Sequence, residues 1–212
     1  MKLRANDRIL FIGDSITDCG RSFNNDEDLG LGYVFLAGNL LLGKVPHLHL
    51  KVFNRGIGGN KLLDLEKRWE TDCLAVNPDI LTVFIGINDI WHNRTNSTPI
   101  DQEYLNDFDR RYRQLLMQVT EQNPAIQLIL IQPFVLPILD DRLAWKNELN
   151  LMNQIIANIA NDFKAELIPL SDHFEQLLTE SDPLEFTVED GVHPTPVGHG
   201  VIANQWLNRI NF

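Results

Sequence analysis

The sequence has few of the features that mark several large classes of protein. Among its 212 residues there are only two cysteines, Cys19 and Cys73, which excludes a disulfide framework and predicts two reduced thiols in a cytoplasmic protein. No apolar run approaches the roughly 18 residues that span a bilayer, and the polar residues 1–8 are unlike a secretory signal. Internal repeats and flexible linkers are also absent, which favours one domain over residues 1–212.

Positive charge is scarce as well. Eighteen lysines and arginines stand against 29 aspartates and glutamates, for a net charge of −11 at pH 7. So acidic a chain is a poor ligand for nucleic acid and for anionic membranes, and we expect neither as a partner. Residues 165–208 hold eight acidic residues and no lysine or arginine. We therefore expect this part of the chain to repel anionic substrates.

Short apolar runs alternate with longer amphipathic segments along the chain. The runs are almost continuously apolar, as in parallel strands that are buried on both faces, and they cover residues 8–12, 50–53, 80–85, 127–132 and 166–170. Apolar residues at spacings of three and four predict helices between them, over 62–76, 104–119, 149–163 and about 197–208. This order predicts the α/β class, as a three-layer α/β/α sandwich with a central five-stranded parallel sheet.

Local signals in the connections allow two further predictions. Thr98 to Asp101 is typical of a helix start, with Thr98 as the cap, Pro99 in the first turn and Asp101 completing a capping pair. The connections that follow the strands look short and contain no apolar, lid-like insertion. We therefore expect a shallow and open site.

Polar residues follow the first two predicted strands. In parallel α/β sheets, ligands bind beyond the carboxyl ends of the strands. Ser15 follows the first strand, where its hydroxyl would be exposed beside the first N–H groups of a helix, although Ser15 could equally cap that helix. Three glycines within residues 56–59 let the backbone approach a ligand closely. A dinucleotide fingerprint would need a glycine at the position of Lys61, so that interpretation is weak.

Two more polar segments complete the set. Asn88 follows the third strand and would bring an amide donor into the same crevice, unless it only forms a turn. Asp190 precedes His193 by three residues, a spacing that can place a carboxylate against an imidazole. The four segments together supply a hydroxyl, a backbone donor, an amide donor and an acid–histidine pair. This is the set that acyl transfer requires.

The four segments resemble the conserved blocks of the SGNH (GDSL) hydrolase superfamily of lipase-like esterases and acylhydrolases. They occur in the family's order, as Gly13-Asp14-Ser15, Gly59, Gly86-Ile87-Asn88-Asp89 and Asp190-Gly191-Val192-His193. Ile16 replaces the leucine of the older signature, which is a conservative change. The resemblance implies a flavodoxin-like sheet in a single SGNH hydrolase domain over residues 1–212.

The resemblance also implies roles for individual residues. Ser15 would be the nucleophile, His193 the general base and Asp190 the group that orients the imidazole. The backbone N–H groups of Ser15 and Gly59 and the side-chain amide of Asn88 would form the oxyanion hole. Such serine chemistry proceeds through an acyl-enzyme and needs no metal or organic cofactor. Two acids beside these blocks, Asp14 and Asp89, would support turns rather than take part in catalysis.

The substrate class is less constrained by the sequence. Trp91 and His92 are candidates to line the pocket, although Trp91 could equally serve packing alone. We expect a serine esterase that hydrolyses short-chain, acetyl-type esters of small molecules, including carbohydrates. The alternatives are a lysophospholipase or thioesterase of the same fold, and a non-catalytic binding protein that kept the fold. Family members range from monomers to larger assemblies, so a homo-oligomer is compatible with the resemblance. Cys19 is interpreted as a small buried apolar residue rather than a competing nucleophile.

Overall fold

The protein is built on one parallel sheet. A computed structural model describes residues 1–98 and 100–211. Its strands are β1 (Arg8–Gly13), β2 (Lys51–Gly56), β3 (Ile80–Phe84), β4 (Gln127–Ile131) and β5 (Glu166–Ile168). They lie in the order β2-β1-β3-β4-β5, and every neighbouring pair is parallel. The predicted α/β class, five-stranded parallel sheet and flavodoxin-like strand order are confirmed.

Helices connect these strands throughout the described part of the chain. They are α1 (Ser15–Asp18), α2 (Tyr33–Lys44), α3 (Leu62–Trp69), α4 (Ile87–Thr95), α5 (Gln102–Gln122), α6 (Asp140–Leu143), α7 (Lys146–Asp162), α8 (Leu170–Leu177) and α9 (Pro196–Leu207). A π-helical turn, Glu70–Leu74, continues α3. None of the helices that the structure describes is both long and apolar enough to cross a membrane.

Aromatic side chains join the sheet to one helical layer. The ring of Phe11 in β1 lies 5.7 Å from that of Tyr33 in α2 and 4.9 Å from that of Trp206 in α9. The indole N–H of Trp206 donates to the hydroxyl of Thr82, which pairs with Phe11 in the sheet. Alternate strand residues such as Leu10 point to the opposite face. A second group of helices, in which α5 contacts both α3 and α7, completes the three layers.

The structure corrects two local predictions. Helix α5 begins at Gln102, and its N-cap is Asp101, whose carboxylate accepts the N–H of Tyr104 at 2.9 Å. The predicted cap at Thr98 is therefore wrong, because an aspartate nearer to the apolar stripe serves as the acceptor; the predicted position of Pro99 lies outside the described residues. Strand β2 extends to Gly56, three residues beyond the apolar run 50–53 that predicted it, so Asn54 and Arg55 lie in the strand.

The prediction of short connections is wrong at two places. Residues 19–32 join α1 to α2, and residues 132–145 join β4 to α7. The second of these, called here the β4–α7 connection, contains α6 and passes behind the turn that carries Asp190 and His193. The apolar pattern gives no sign of α6, because its four residues are too few to show a helical period.

The turn between β1 and α1 is capped by a buried acid. Oδ1 of Asp14 accepts the N–H of Ile16 at 3.0 Å, and the residue is 1% exposed. Burial raises the pKa of Asp14 from 3.8 to about 7, more than the hydrogen bond from Ile16 lowers it. The folded chain therefore holds a proton on this group at pH values where the unfolded chain has released it.

We expect Asp14→Asn to gain stability relative to the unchanged chain as the pH rises. Between pH 3.8 and about 7 the folded chain binds more protons than the unfolded one at this group, so Asp14 contributes less stability as pH increases. Asparagine keeps the Oδ1 acceptor and cannot ionise. Urea unfolding at about pH 4.5 and about pH 8 measures the free-energy difference between the two chains.

Asp162→Asn is the matched control for this measurement. Asp162 is exposed, and a hydrogen bond from Arg113 lowers its pKa, so it is ionised at both pH values. Its effect on stability should stay constant over that range. An equally constant effect of Asp14→Asn would show that burial does not raise the pKa of Asp14.

Candidate active site

The carboxyl edge of the sheet carries the residues that the sequence singled out. Ser15 is the first residue of α1, and Gly59 lies in the turn after β2. Asn88 is in the first turn of α4, immediately after β3. Asp190 and His193 lie in the turn that precedes α9. Their positions follow from the parallel sheet, because its strands all end at the same edge.

A continuous chain of hydrogen bonds joins Ser15, His193 and Asp190. Oγ of Ser15 lies 2.9 Å from Nε2 of His193, and Nδ1 of His193 lies 2.6 Å from Oδ2 of Asp190. The carboxylate holds a hydrogen on Nδ1, which leaves Nε2 able to accept the hydrogen of the Ser15 hydroxyl. The structure therefore brings these three predicted site residues together in a geometry that suits proton transfer from the hydroxyl.

The Asp190 carboxylate is fixed by its own turn. Oδ1 accepts the backbone N–H of Val192 at 2.8 Å and that of His193 at 2.9 Å. Burial raises the pKa of Asp190, but the hydrogen bonds from His193 and Val192 outweigh this effect and hold the pKa below its ordinary value. The carboxylate is therefore ionised at neutral pH.

Two backbone N–H groups beside Ser15 have no acceptor among the described residues. One is that of Ser15 itself, in the first turn of α1, and the other is that of Gly59. Gly59 has φ +77°, a conformation that favours glycine. The loop is close to Ser15, since a Cβ placed on Gly58 would lie 3.9 Å from Cβ of Ser15. The N–H of Gly58 donates to Oδ2 of Asp18 at 3.1 Å, which ties the loop to α1.

The side-chain amide of Asn88 is buried, and one of its two hydrogens is already hydrogen-bonded. Its Nδ2 donates one hydrogen to the carbonyl of Asn60 at 3.2 Å. The carbonyl belongs to the residue that follows Gly59, so the amide is held beside the glycine loop. The second amide hydrogen remains for a ligand.

Two buried acids support the segments around the site. Asp14, and not Ser15, caps α1, which leaves the Ser15 hydroxyl outside the capping hydrogen bond. Asp89 accepts the N–H of Leu62 at 3.1 Å and the hydroxyl of Tyr104 at 2.8 Å. Burial raises the pKa of Asp89 to about 6. These contacts agree with the supporting role that the resemblance implies for both acids.

Trp91 and His92 both border the site from α4. The ring of Trp91 lies 5.9 Å from that of His193 and 5.6 Å from that of Trp145. Cε1 of His92 would lie 3.9 Å from a Cβ placed on Gly59. Trp91 therefore packs within the protein and also faces the acid–histidine pair.

A cysteine–histidine pair also lies near the site. Sγ of Cys19 is 3.3 Å from Nε2 of His199, and the N–H of Tyr33 donates to Nδ1 of His199 at 3.1 Å. Burial raises the pKa of Cys19 and lowers that of His199 to about 4. The interpretation of Cys19 as a buried apolar residue is wrong in part, because the side chain is half-buried and hydrogen-bonded. Both cysteines are free thiols.

Two arginines, one buried and one largely buried, contact the site segments without any signal in the sequence. Arg68 donates to the carbonyl of Gly13 and to the side chain of Asn60. Arg142 donates to the carbonyl of Asp190. In the sequence these arginines look like the exposed ones, because their burial depends on distant segments. An alignment of homologues is the signal that could have found them.

Comparisons with known proteins agree with this geometry. Residues 11–201 match the model of the GDSL-like lipase/acylhydrolase family. The chain is 33% identical over 220 residues to an acetylxylan esterase from Geobacillus stearothermophilus, across 100% of this chain and 97% of that protein. A crystal structure of acetylxylan esterase from this organism superposes with a TM-score of 0.87 at 33% identity, over 100% of this chain and 97% of the other.

Further solved structures extend the comparison. A protein from Parabacteroides merdae described as a GDSL-like lipase superposes with a TM-score of 0.88 at 34% identity, over 97% of this chain and 96% of the other. The structures of the Geobacillus esterase include catalytic mutants in which a serine, an aspartate or a histidine is replaced by alanine. This chain thus belongs to the GDSL-like lipase/acylhydrolase family, and it is a carboxylic ester hydrolase with the SGNH fold.

Proposed function

We propose that this chain hydrolyses short acyl esters, above all acetyl esters of carbohydrates, through an acyl-enzyme on Ser15. The observation that carries the proposal is the hydrogen-bonded chain from Ser15 through His193 to Asp190. The relative named acetylxylan esterase supports the choice of acyl group and of carbohydrate. The acidic segment 165–208 supports a neutral substrate, because it disfavours phospholipid and coenzyme A groups.

In the proposed mechanism, Oγ of Ser15 attacks the ester carbonyl while Nε2 of His193 takes the hydroxyl proton. The oxyanion accepts hydrogen bonds from the N–H groups of Ser15 and Gly59 and from the amide of Asn88. When the tetrahedral intermediate collapses, the proton moves from His193 to the oxygen of the leaving alcohol. A water molecule then attacks the acyl-enzyme with His193 as base, which releases the carboxylic acid and restores Ser15.

We also propose that residues 1–212 form a single domain. The family model spans residues 11–201, and the acid–histidine turn after β5 completes a site that begins after β1. A cytoplasmic location and a homo-oligomer stay predictions.

We expect Ser15→Ala to lower kcat for 4-nitrophenyl acetate by a factor on the order of 10⁴ or more. The variant lacks the attacking oxygen, so covalent labelling by a fluorophosphonate probe should vanish as well. Ser22→Ala is the matched control, because Ser22 is an exposed serine in the α1–α2 connection. Turnover by Ser15→Ala equal to that of the control would refute the mechanism. Absence of a probe adduct on Ser15 in the folded, unchanged chain would favour a binding protein.

We expect Asn88→Ala to lower kcat by roughly 10²–10³, the usual cost of one oxyanion donor. The variant also loses the hydrogen bond to Asn60, worth about 1 kcal/mol, so Tm should fall by only about 2–4 °C. Asn106→Ala, at an exposed position on α5, should change neither value. A kcat within about twofold of that of the unchanged chain would remove Asn88 from the oxyanion hole.

We expect kcat/KM to be highest for acetyl esters in a series of 4-nitrophenyl esters of increasing chain length. Each added methylene should bring no gain, because the proposed site is adapted to a small acyl group. Acetylated sugars and lysophospholipids are measured in parallel, with Ser15→Ala as the blank. Hydrolysis that rises steadily to long chains, or a preference for lysophospholipids, would favour the lysophospholipase alternative.

A further inference from the structure

Two aromatic rings contact the guanidinium of Arg142 behind the turn that carries Asp190 and His193. Its central carbon lies 4.7 Å from the ring centroid of Trp91 and 4.1 Å from that of Trp145. Arg142 is 7% exposed. A planar guanidinium stacks on aromatic faces while it stays charged, which a lysine ammonium cannot reproduce. The arginine is therefore held in one place by α4 and by the end of the β4–α7 connection.

From this position Arg142 holds the backbone of the acid–histidine turn. Its Nε donates to the carbonyl oxygen of Asp190 at 2.7 Å. The N–H of Leu136 donates to the next carbonyl, that of Gly191, also at 2.7 Å. Both donors belong to the β4–α7 connection. Two consecutive carbonyls of the turn are thus held from the same side by one segment.

The turn also packs directly on that segment. Gly191 has φ +73°, and a Cβ placed there would lie 2.5 Å from the carbonyl oxygen of Leu136 and 3.7 Å from Cγ of Arg142. Only glycine permits both this conformation and this approach. Small movements of Leu136 or Arg142 are therefore transmitted to the backbone of the turn.

The backbone of this turn also fixes the position of the Asp190 carboxylate. Oδ1 of Asp190 accepts the N–H groups of Val192 and His193, and Oδ2 contacts Nδ1 of His193. A shift of the Asp190 carbonyl therefore moves the carboxylate and the imidazole together. Trp91, which stacks on Arg142, also lies 5.9 Å from the His193 ring. Arg142 thus contacts Asp190 directly and reaches His193 through Trp91.

We infer that Arg142 is a positioning residue that sets the acid–base pair, Asp190 and His193, at the correct distance from Ser15. It acts through the Asp190 carbonyl and through the Trp91 ring, and it contacts neither the substrate nor the attacking oxygen. The inference rests on the proposed esterase function. The β4–α7 connection thereby orients the half of the site that contains Asp190 and His193.

Arg142→Ala tests the inference in steady-state kinetics with 4-nitrophenyl acetate, after subtraction of the Ser15→Ala rate. We expect kcat to fall roughly 10- to 100-fold, the scale of a small misplacement of catalytic groups, with KM within about twofold. Arg113→Ala is the matched control, since Arg113 pairs with Asp109 and Asp162 on the helical surface. A kcat of Arg142→Ala equal to that of this control would overturn the inference.

A double-mutant cycle separates positioning from a general loss of structure. In a chain that already carries Asp190→Ala, Arg142 has no carboxylate left to position and acts on His193 only through Trp91. Arg142→Ala should therefore cost much less in kcat there than in the unchanged chain, by a factor below about threefold. A merely structural loss would lower kcat by the same factor in both backgrounds. That result would overturn the positioning role.

Arg142→Lys keeps the test decisive if the alanine variant does not fold. Lysine keeps the charge, but it has neither the planar group that packs against the rings nor a donor at the Nε position. We expect a folded chain, shown by cooperative thermal unfolding, with kcat lowered by the same order as in the alanine variant. An unchanged kcat in Arg142→Lys would overturn the inference. Absence of Ser15-dependent turnover in the unchanged chain would instead refute the proposed function itself.

Discussion

The site depends on the close approach of α1 to the ends of two strands. Gly13 and Gly56 pair with each other as the last residues of β1 and β2. A Cβ on Gly13 would lie 2.5 Å from Oγ1 of Thr17 in α1, and one on Gly56 would lie 2.1 Å from the backbone nitrogen of Asp18. Any side chain at either position would push α1 away from the sheet. Ser15, at the start of α1, would move with it, away from the glycine loop and from His193.

Arginines with little exposed surface then hold the segments that this approach brings together. Arg68 donates to the carbonyl of Gly13, before Ser15, and to the side chain of Asn60, after Gly59. The same arginine also donates to the carbonyl of Arg55 at 2.7 Å. It therefore joins the turn of the attacking serine to the loop of the proposed oxyanion donors. Arg142 occupies the corresponding place behind the acid–histidine turn, where its Nε donates to the carbonyl of Asp190. Each half of the site is therefore held by an arginine that binds its backbone.

The sequence was a good guide where one physical rule dominates. Parallel strands buried on both faces must be apolar throughout, so the five runs were recognisable and their shared edge located Ser15 and Asn88. His193 was found instead by its spacing of three residues from Asp190. Prediction failed where the outcome depends on contacts between distant segments. The burial of Arg142 requires Trp91 and Trp145 to meet, which no local pattern shows. The cap of α5 at Asp101 was missed for a simpler reason, since Thr98 offered an equally good local signal.

The contrast between two histidines explains why the serine, and not the nearby thiol, is the proposed nucleophile. Nδ1 of His193 carries a hydrogen toward Asp190, so its Nε2 can accept the Ser15 proton. In His199 the direction is reversed, because Nδ1 accepts the N–H of Tyr33, and the neutral ring must then carry its hydrogen on Nε2. That nitrogen donates to Sγ of Cys19 and cannot remove its proton. Burial also raises the pKa of Cys19, so the thiol stays protonated. Whether a histidine can act as the base therefore depends on the group that contacts its Nδ1, and of these two histidines only His193 has a carboxylate there.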